Sequence, residues 1–325
     1  MVEQGAFIAG RLPVDDIANH YLKQLAVGHL DYFIVDPLSI GDAYQTLCLL
    51  RAFREKYLRP GGRIFYWCQP RSGPLVPMFD VVDVVVSSEI DYNVAYMMAQ
   101  RYGVAPGVPI VMGPAMWADG WLQRLLDHGL ISTLHARQLI LGLDLDCPIS
   151  HAVAPDAARQ AAAENAHANG LEAGNSLIIM NHATTSMPLP VEAYAGVVDA
   201  FPGPVFTDMT VPGQVLVPGT KPLHMPLDQV IPLAELAGNV LALRSGIIDL
   251  LANAKTKIFS VYPRPQDARS WVKDRTAWIG AYQNATLEKM GLLGAAREIL
   301  IMLQPEDDEA AIARRIIETL TRTDG

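Results

Sequence analysis

A short segment near the N-terminus, Ser39-Ile-Gly41-Asp42, places a carboxylate at the point where the chain changes its local structure. It follows residues 31–35, an aromatic and β-branched run typical of a buried parallel strand, and it precedes a helix-periodic stretch. Gly41 permits tight backbone geometry, and Asp42 opens the helix, where the N-terminal dipole stabilises negative charge. Local sequence favours Asp42 as a helix N-cap, and a general base at the end of the strand is the functional alternative.

A second loop with chemical potential follows residues 176–180, which form another apolar run. Its hydroxyls, imidazole and backbone N–H groups lie between a strand and a helix, where such donors suit a diphosphate. An ordinary turn before Pro188 is the structural alternative. The candidate donors are His182, Thr184, Thr185 and Ser186.

The third candidate is Arg244-Ser245-Gly246, which follows the predicted strand 239–243, with Asp249 one turn into the next helix. Gly246 lets a ligand approach the backbone, and the Arg244 guanidinium can donate two hydrogen bonds to a phosphate. The alternative interpretation is a surface arginine beside a serine that caps a helix. Two such loops in the same half of the chain predict a phosphate-binding site more strongly than either loop alone.

A metal site is predicted to be absent. Asp144 and Asp146 form a D-x-D pair that could hold a hard cation if the chain were extended there, but three letters recur by chance. The sequence also has no P-loop, G-x-G-x-x-G, H-E-x-x-H or G-x-S-x-G pattern, so the mechanisms tied to those motifs have no anchor.

Composition narrows the class of protein. The 325 residues are 50% apolar and 18% charged, with a net charge of −9, which favours large buried cores and disfavours nucleic-acid binding. The three cysteines lack a C-x-x-C spacing and lie in apolar sequence, so we expect reduced thiols in a reducing compartment. No apolar run approaches the ~18 residues of a membrane span, and residues 1–10 have no basic signal-peptide region.

Strands alternate with helices along the chain, which predicts βαβ units and open parallel sheets. This alternation of strands and helices begins again near residue 170. We therefore predict an α/β fold of two Rossmann-like domains, 1–169 and 170–325, which face each other across a cleft, with the last helix able to pack back on the first domain. Ligands of such sheets bind at the carboxyl ends of the strands.

Taken together, these motifs resemble those of the bacterial lipopolysaccharide heptosyltransferases, which act on ADP-heptose. Residues 39–51 resemble the opening G-D motif and helix of that family, 181–185 resemble its H-A-T-T loop, and 233–246 resemble its last nucleotide-binding unit, which ends in D-S-G. The resemblance implies the GT-B architecture, an inverting and metal-independent transfer, and a donor bound mainly by the second domain. It also implies roles for single residues: Asp42 as the catalytic base, the donor-loop residues His182, Thr184 and Thr185, and Ser245 with Gly246 beneath the nucleotide.

The sequence departs from the family pattern at the implied donor site. Arg244 stands where the family has the aspartate of D-S-G, and Asp249 stands where it has a histidine. The lysine that follows the H-A-T-T loop is missing, and residues 186–190 occupy that stretch. We therefore predict that Arg244 supplies the positive charge to the diphosphate, and that the donor differs from ADP-heptose.

The sequence thus predicts an inverting glycosyltransferase that moves a sugar from a nucleotide-diphosphate donor to a hydroxyl of a bacterial polysaccharide or glycoconjugate. No cofactor other than the donor substrate is expected. We expect a cytoplasmic protein, with peripheral contact to the inner membrane left open. Two alternatives remain: a nucleotide-sugar epimerase or hydrolase of the same architecture, and a non-catalytic sugar-nucleotide or glycan binding protein.

Overall fold

A computed structural model describes residues 14–100, 103–270 and 285–322. These residues divide into two compact units, each with its own parallel sheet. The first unit takes in the described residues up to Leu126 together with Thr133–Ser150, and the second takes in Asp127–Ser132 and the described residues from His151 onward.

The first unit is built around a four-stranded sheet in the order β3-β2-β1-β4, with every pair parallel. Strands β1 and β2 are buried along their whole length, as expected for central parallel strands covered on both faces. Its elements in chain order are α1 (Val14–Gln24), β1 (Tyr32–Asp36), α2 (Ile40–Tyr57), β2 (Ile64–Cys68), β3 (Val84–Ser87), α3 (Tyr92–Ala99), β4 (Pro109–Val111), α4 (Trp121–Asp127, which ends in the segment that groups with the second unit) and α5 (Thr133–Ile140).

The second unit has a six-stranded sheet in the order β10-β9-β8-β5-β6-β7, again entirely parallel. Its elements are α6 (Asp156–Asn169), β5 (Ser176–Met180), α7 (Val197–Ala200), β6 (Val205–Asp208), β7 (Lys221–Leu223), α8 (Val230–Ala237), β8 (Gly238–Leu243), α9 (Gly246–Leu250), β9 (Lys257–Tyr262), α10 (Leu287–Met290), β10 (Arg297–Met302) and α11 (Glu309–Arg322). Short 3-10 turns, among them Val191–Tyr194 and Pro265–Asp267, connect these elements.

The boundary between the units differs from the predicted one. It lies at 150/151 rather than at 169/170, because α6 packs on α8 of the second unit. Arg159 of α6 forms an ion pair with Glu235 of α8 at 3.2 Å. The last helix, α11, also packs within the second unit, where Ile312 and Ile316 enter the core with residues of β5, β8 and β9. The described part of this helix therefore belongs to the second unit, and its packing on the first domain stays a prediction.

Several element predictions also need correction. The sequence pattern predicts helices over much of the chain after residue 261 and a strand at 79–86. Residues 297–302 instead form the edge strand β10, and the strand near 79–86 is limited to β3 at 84–87. The sequence also predicts a helix at 190–200, where the structure has a 3-10 turn followed by the four-residue helix α7. Residues 101–102 of the predicted helix 91–102, and the N-terminal segment 1–10, lie outside the described residues.

None of the helices in the described parts of the chain is both long enough and apolar enough to cross a bilayer. The cysteines form no disulfide: Cys48 and Cys68 are buried, and Cys147 is half-buried. Burial raises the pKa of the Cys68 thiol to about 12, which keeps it protonated and unreactive.

Candidate functional site

Asp42 lies in the first turn of α2, directly after the carboxyl end of β1. Ser39, the residue directly before α2, has an extended backbone and occupies the N-cap position. Its backbone N–H and its hydroxyl both donate to Asp42 Oδ2, at 3.2 and 2.6 Å. The carboxylate is thus anchored to the helix terminus, but the N-cap is Ser39 and not Asp42 as the sequence predicts: Asp42 is the third helical residue, whose carboxylate accepts from the N-cap residue.

A second anchor reaches Asp42 from α5. The Arg137 guanidinium donates from Nη2 to Asp42 Oδ1, while its Nη1 donates to the Thr133 carbonyl at 2.9 Å and to Gln45 Oε1 at 3.3 Å. The Arg137 side chain is 1% exposed, whereas that of Asp42 is 30% exposed. A carboxylate offers about four acceptor positions, and three are occupied here, so Asp42 keeps a solvent-facing position for a ligand.

A second carboxylate lies beneath this pair. Asp36, the last residue of β1, is 1% exposed. Its Oδ2 accepts from Thr46 Oγ1 at 2.7 Å and from the Tyr66 hydroxyl at 3.1 Å, and its Oδ1 accepts from the Leu38 N–H at 3.3 Å. Burial raises the pKa of Asp36 to about 6; the charge of Arg137 opposes that rise and the charge of Asp42 adds to it.

The sequence indicated neither Arg137 nor Asp36 as part of this site. Arg137 stands 95 residues from Asp42 and belongs to no motif, so nothing in the local sequence pairs them. Asp36 does carry a signal, because an aspartate at the end of an otherwise apolar strand is rarely buried without a role.

In the second unit, the loop after β5 is closed by one side chain. The Asn181 amide donates from Nδ2 to the Leu189 carbonyl at 2.7 Å and accepts from the Leu189 N–H at 2.9 Å. Thr184 is exposed, His182 and Thr185 are half-buried, and Ser186 is fully buried. The four candidate donors therefore share one loop but differ in their access to a ligand.

The inner half of this loop pairs with the segment that follows β9. Ser186 forms an antiparallel bridge with Ala268, and the Arg269 N–H donates to the Thr185 carbonyl at 3.0 Å. The Arg269 side chain reaches along the same loop, with Nη2 at 3.5 Å from the Ala183 carbonyl. Its Nε is buried and meets no acceptor among the described residues. A cation with an unused donor thus lies against the candidate diphosphate loop.

His182 has a carboxylate neighbour. Asp208 ends β6, which pairs with β5, and its Oδ1 accepts from the Thr210 N–H at 2.9 Å. Burial raises the pKa of Asp208, while the Thr210 hydrogen bonds and the nearby charges of His182 and His224 oppose the rise. The strand-end position therefore brings an imidazole and a carboxylate to the same edge of the second sheet.

Arg244 lies at the end of β8, as predicted, but its guanidinium is turned inward. Its side chain is 5% exposed; Nη2 contacts Asp249 Oδ1 at 2.7 Å, Nη1 donates to the Ser245 carbonyl at 2.6 Å and Nε donates to the Ala285 carbonyl at 2.8 Å. Asp249 is equally buried. The two residues that depart from the family pattern neutralise each other, so contact between Arg244 and a phosphate would require this pair to open. That contact remains a prediction, and the geometry does not favour it.

Ser245 and Gly246 lie beside the loop after β5, because β8 and β5 are neighbours in the sheet and both run in the same direction. Ser245 Oγ is buried and has no hydrogen-bond partner in the parts of the chain that the structure describes. The structure thus brings the predicted donor-site residues of the second unit to one sheet edge. It places Arg244 and Asp249 beneath that edge.

Asp144 and Asp146 lie in an exposed loop after α5, where Asp144 pairs with Lys56 at 3.4 Å. Within residues 14–100, 103–270 and 285–322, no group of three or more His, Cys, Asp or Glu side chains is placed to hold a metal ion.

About nine tenths of the chain aligns with solved glycosyltransferases. The glycosyl transferase family 9 protein of Veillonella parvula DSM 2008 superposes with a TM-score of 0.55 at 15% identity, over 91% of this chain and 99% of that one. The E. coli ADP-heptose lipopolysaccharide heptosyltransferase II gives 0.54 at 12% identity, over 90% and 100%. The E. coli heptosyltransferase WaaC, solved with ADP-2-deoxy-2-fluoro heptose, gives 0.50 at 14% identity, over 89% and 99%.

No protein-family model matches the sequence, and no curated protein matches it. The class that the structural likeness defines is nevertheless clear: the chain has the α/β fold of the GT-B glycosyltransferases, with two Rossmann-like units. The predicted resemblance to the heptosyltransferases is thereby confirmed at the level of the fold.

Proposed function

We propose that this protein is an inverting glycosyltransferase that moves a sugar from a nucleotide-diphosphate donor to a hydroxyl group. The observation that carries the proposal is Asp42: a partly exposed carboxylate at the end of the first strand, held by Ser39 and Arg137, in a chain with the fold of nucleotide-sugar transferases. Sites of open α/β sheets lie at such strand ends.

Asp42 acts as the general base in this proposal. The acceptor hydroxyl donates its hydrogen bond to the exposed carboxylate position, and its oxygen attacks the anomeric carbon from the face opposite the diphosphate. The bond from that carbon to the diphosphate oxygen breaks, the proton passes to Asp42, and the configuration at the carbon inverts. A positioned base of this kind contributes ~10²–10⁴-fold to the rate.

The second unit stabilises the charge that grows on the departing diphosphate. Its donors are the hydroxyls and N–H groups of residues 182–186, together with Ser245 and Gly246 at the neighbouring strand end. Arg269 supplies the cation, because its guanidinium lies against the Ala183 carbonyl and its Nε–H meets no acceptor among the residues that the structure describes. Preorganised donors of this kind act most strongly where charge develops in the transition state.

The donor and acceptor follow from the relatives and from the departures of this chain. Two of the structural relatives are named for ADP-heptose or were solved with its analogue. The Arg244–Asp249 pair changes the region beneath the nucleotide, so we propose a different nucleotide-diphosphate sugar. The acceptor class is a bacterial polysaccharide or glycoconjugate, reached from the cytoplasm, with peripheral contact to the inner membrane.

The transfer proceeds without a metal ion in this proposal. Arg269 and the loop donors carry the charge that a metal would otherwise balance, and Asp144 and Asp146 are committed to an exposed loop. Turnover is therefore expected to survive EDTA. Loss of transfer with EDTA, restored by Mg²⁺ or Mn²⁺, would contradict this part of the mechanism.

A specific observation favours one alternative, the non-catalytic binding protein. Three of the acceptor positions of Asp42 are filled by Ser39 and Arg137, which is what a purely structural helix cap would show. A protein of this kind would bind the donor and leave it intact with every acceptor.

The experiment begins with a thermal-shift screen over UDP-, ADP-, GDP-, CMP- and dTDP-sugars, since a ligand that binds the folded state raises its melting temperature. The donor that stabilises the protein is then incubated with and without oligosaccharide acceptors, and the products are identified by mass spectrometry and NMR. An inverted glycoside supports the proposal. Hydrolysis or isomerisation of the donor alone identifies the hydrolase or epimerase, and binding without turnover identifies the binding protein.

A further inference from the structure

The carboxylate beneath Asp42 has no part in the proposed transfer, yet it is almost completely buried. Asp36 has three hydrogen-bond donors, from Leu38, Thr46 and Tyr66, and each comes from a different element or loop. A buried carboxylate with neutral donors alone is costly to ionise, so its charge state depends on the charges around it.

Those charges belong to a small set. Arg137 of α5 and Asp42 of α2 act on Asp36 directly. The neighbouring strand contributes the Tyr66 hydroxyl and the Cys68 thiol, and both are neutral because burial raises their pKa values. Burial also raises the pKa of Tyr92, at the start of α3. The nearby charges of Asp42 and Asp36 add to this rise, and the charge of Arg71 opposes it.

Arg137 contacts one of the two carboxylates and acts on the other through its charge. Its guanidinium is buried and bonded to Asp42, and its charge opposes the burial effect at Asp36. Thr46 provides a second link, because its hydroxyl donates to Asp36 Oδ2 at 2.7 Å and also lies 3.1 Å from the Asp42 carbonyl. With Asp36 neutral, one carboxylate balances the cation; with Asp36 ionised, two carboxylates share it.

We propose that Asp36 is a positioning residue for Asp42: it shares the charge of Arg137, and when Asp36 ionises, Arg137 holds Asp42 less tightly and leaves it a better proton acceptor. The catalytic consequence rests on the proposed function, whereas the sharing of charge is a property of the folded protein alone.

The coupling is tested without donor or acceptor. The protein is labelled with ¹³Cγ-aspartate, the resonances of Asp36 and Asp42 are assigned from the Asn variants, and the carboxyl shifts are followed from pH 4 to 8. We expect the Asp42 resonance to move together with that of Asp36, and to lose this step in Asp36→Asn. If the chemical shift of Asp42 does not change as Asp36 ionises, or if the same step persists in Asp36→Asn, the proposal is overturned.

The functional arm uses the pH profile of kcat once a donor and acceptor are known. The parent should gain several-fold in kcat as Asp36 ionises, and Asp36→Asn should flatten this limb while KM for the donor stays constant. The matched control is Asp31→Asn, a buried aspartate that precedes the same strand and pairs with Arg63 at 2.7 Å, far along the strand from Asp42. This variant should be less stable and keep the limb.

The two arms separate the failures. Coupled resonances with no glycosyl transfer under any condition contradict the proposed function and leave the charge sharing established. Transfer that depends on Asp42 but shows the same pH limb in Asp36→Asn contradicts the positioning role and leaves the proposed function intact.

Discussion

Two arginine–aspartate pairs occupy comparable places in the two units of this protein. Arg137 meets Asp42 beside the carboxyl end of β1, and Arg244 meets Asp249 beyond the carboxyl end of β8. Both arginines are almost fully buried. The aspartates differ: the side chain of Asp42 is 30% exposed, and that of Asp249 is 4% exposed.

Because of this difference, a ligand can reach the aspartate of the Arg137–Asp42 pair, whereas both partners of the Arg244–Asp249 pair are shielded from solvent. A buried cation paired with an accessible carboxylate leaves one oxygen able to meet an incoming hydroxyl. A pair with both partners buried has satisfied its charges internally, and its contribution lies in the stability of the surrounding fold. The chemistry of the residues is the same in both units, so burial of the acid decides between the two roles.

The largest expected effect comes from breaking the buried pair of Arg244 and Asp249. Arg244→Ala removes the cation that contacts the buried Asp249 carboxylate, which costs about 3–5 kcal/mol of unfolding free energy, measured by urea denaturation. The double variant Arg244→Met with Asp249→Leu should recover most of this loss. Arg159→Ala, which breaks the partly exposed pair with Glu235, should cost at most about 1 kcal/mol.

The outcome that would reverse this comparison is specific. An Arg244→Ala protein of parental stability, whose affinity falls for a nucleotide diphosphate and not for the nucleoside, would show that Arg244 binds phosphate, as the sequence predicts.

The next effect concerns Asp36, the carboxylate beneath the partly exposed pair of Arg137 and Asp42, which we call the open pair. Burial raises the pKa of Asp36 from 3.8 to about 6, so the folded state binds this proton more tightly than the unfolded state does. The stabilisation is fully present below pH 4 and is lost as the pH rises to 6 and beyond, by roughly 3 kcal/mol in all. The parent and Asp36→Asn should therefore differ in the pH dependence of their unfolding free energies by this amount.

Other carboxylates act in the opposite direction, which is why the difference between the two proteins is the quantity to measure. Burial alone would raise the pKa of Asp31, but hydrogen bonds from Arg63 and Gly28 outweigh it and lower the pKa. Its stabilisation is lost as the pH falls. A parent and an Asp36→Asn variant with parallel stability curves from pH 4 to 7 would contradict the predicted shift at Asp36.

A smaller effect in free energy, though a large one in rate, is expected at the open pair. Asp42→Asn should lower kcat by at least ~10²-fold, equivalent to about 2.7 kcal/mol, because the amide cannot accept the proton. The unfolding free energy should also fall, because the buried Arg137 guanidinium loses its charged partner, but by less than in Arg244→Ala, since Arg137 keeps its bonds to Gln45 and the Thr133 carbonyl. Steady-state kinetics and denaturation on the same preparation check both expectations.

The matched control is Asp91→Asn. Asp91 caps α3 and accepts from the Asn93 N–H at 2.7 Å, so it reproduces the capping role without a neighbouring buried arginine pair. If Asp42→Asn retains turnover within a few-fold of the parent, as Asp91→Asn should, Asp42 is a cap alone and the two pairs differ in burial without differing in function.

The smallest effect tests which arginine faces the donor loop. Arg269→Ala should weaken binding of a nucleotide diphosphate by about tenfold, which corresponds to 1.4 kcal/mol, and should leave binding of the nucleoside nearly unchanged. Isothermal calorimetry with both ligands provides the comparison. Arg322→Ala, at an exposed pair with Glu318, serves as the control. Equal losses for both ligands would assign Arg269 to the base or ribose instead.

Much of the fold could be predicted because the central strands carry strong signals. Residues 176–180 were predicted with their observed bounds, since a fully buried parallel strand reads as a continuous apolar run. The edge strands carry weaker signals: β7 is three residues long and contains Pro222, and β10 has exposed residues on both faces. Proline and polar residues are tolerated where one side of a strand has no ladder partner.

The site was predictable only where its residues are local. Asp42 lies in the first turn of the helix after one strand, and residues 181–186 form the loop after another, so their positions could be anticipated. The partners of those residues could not, because Arg137 and Arg269 reach them from distant parts of the chain. The inward turn of Arg244 was equally hidden, since the acceptors that fix it include the carbonyl of Ala285, 41 residues away.

Finally, the Asn181 amide bears on how this protein could change its substrate. One side chain holds the two ends of a nine-residue loop, so these ends are fixed without a contribution from the exposed side chains between them. Exposed positions such as Thr184 and Met187 can then vary while the entry and exit of the loop stay fixed. A library randomised at these positions and kept constant at Asn181 is the natural starting point for evolving donor preference, because variation there is uncoupled from folding.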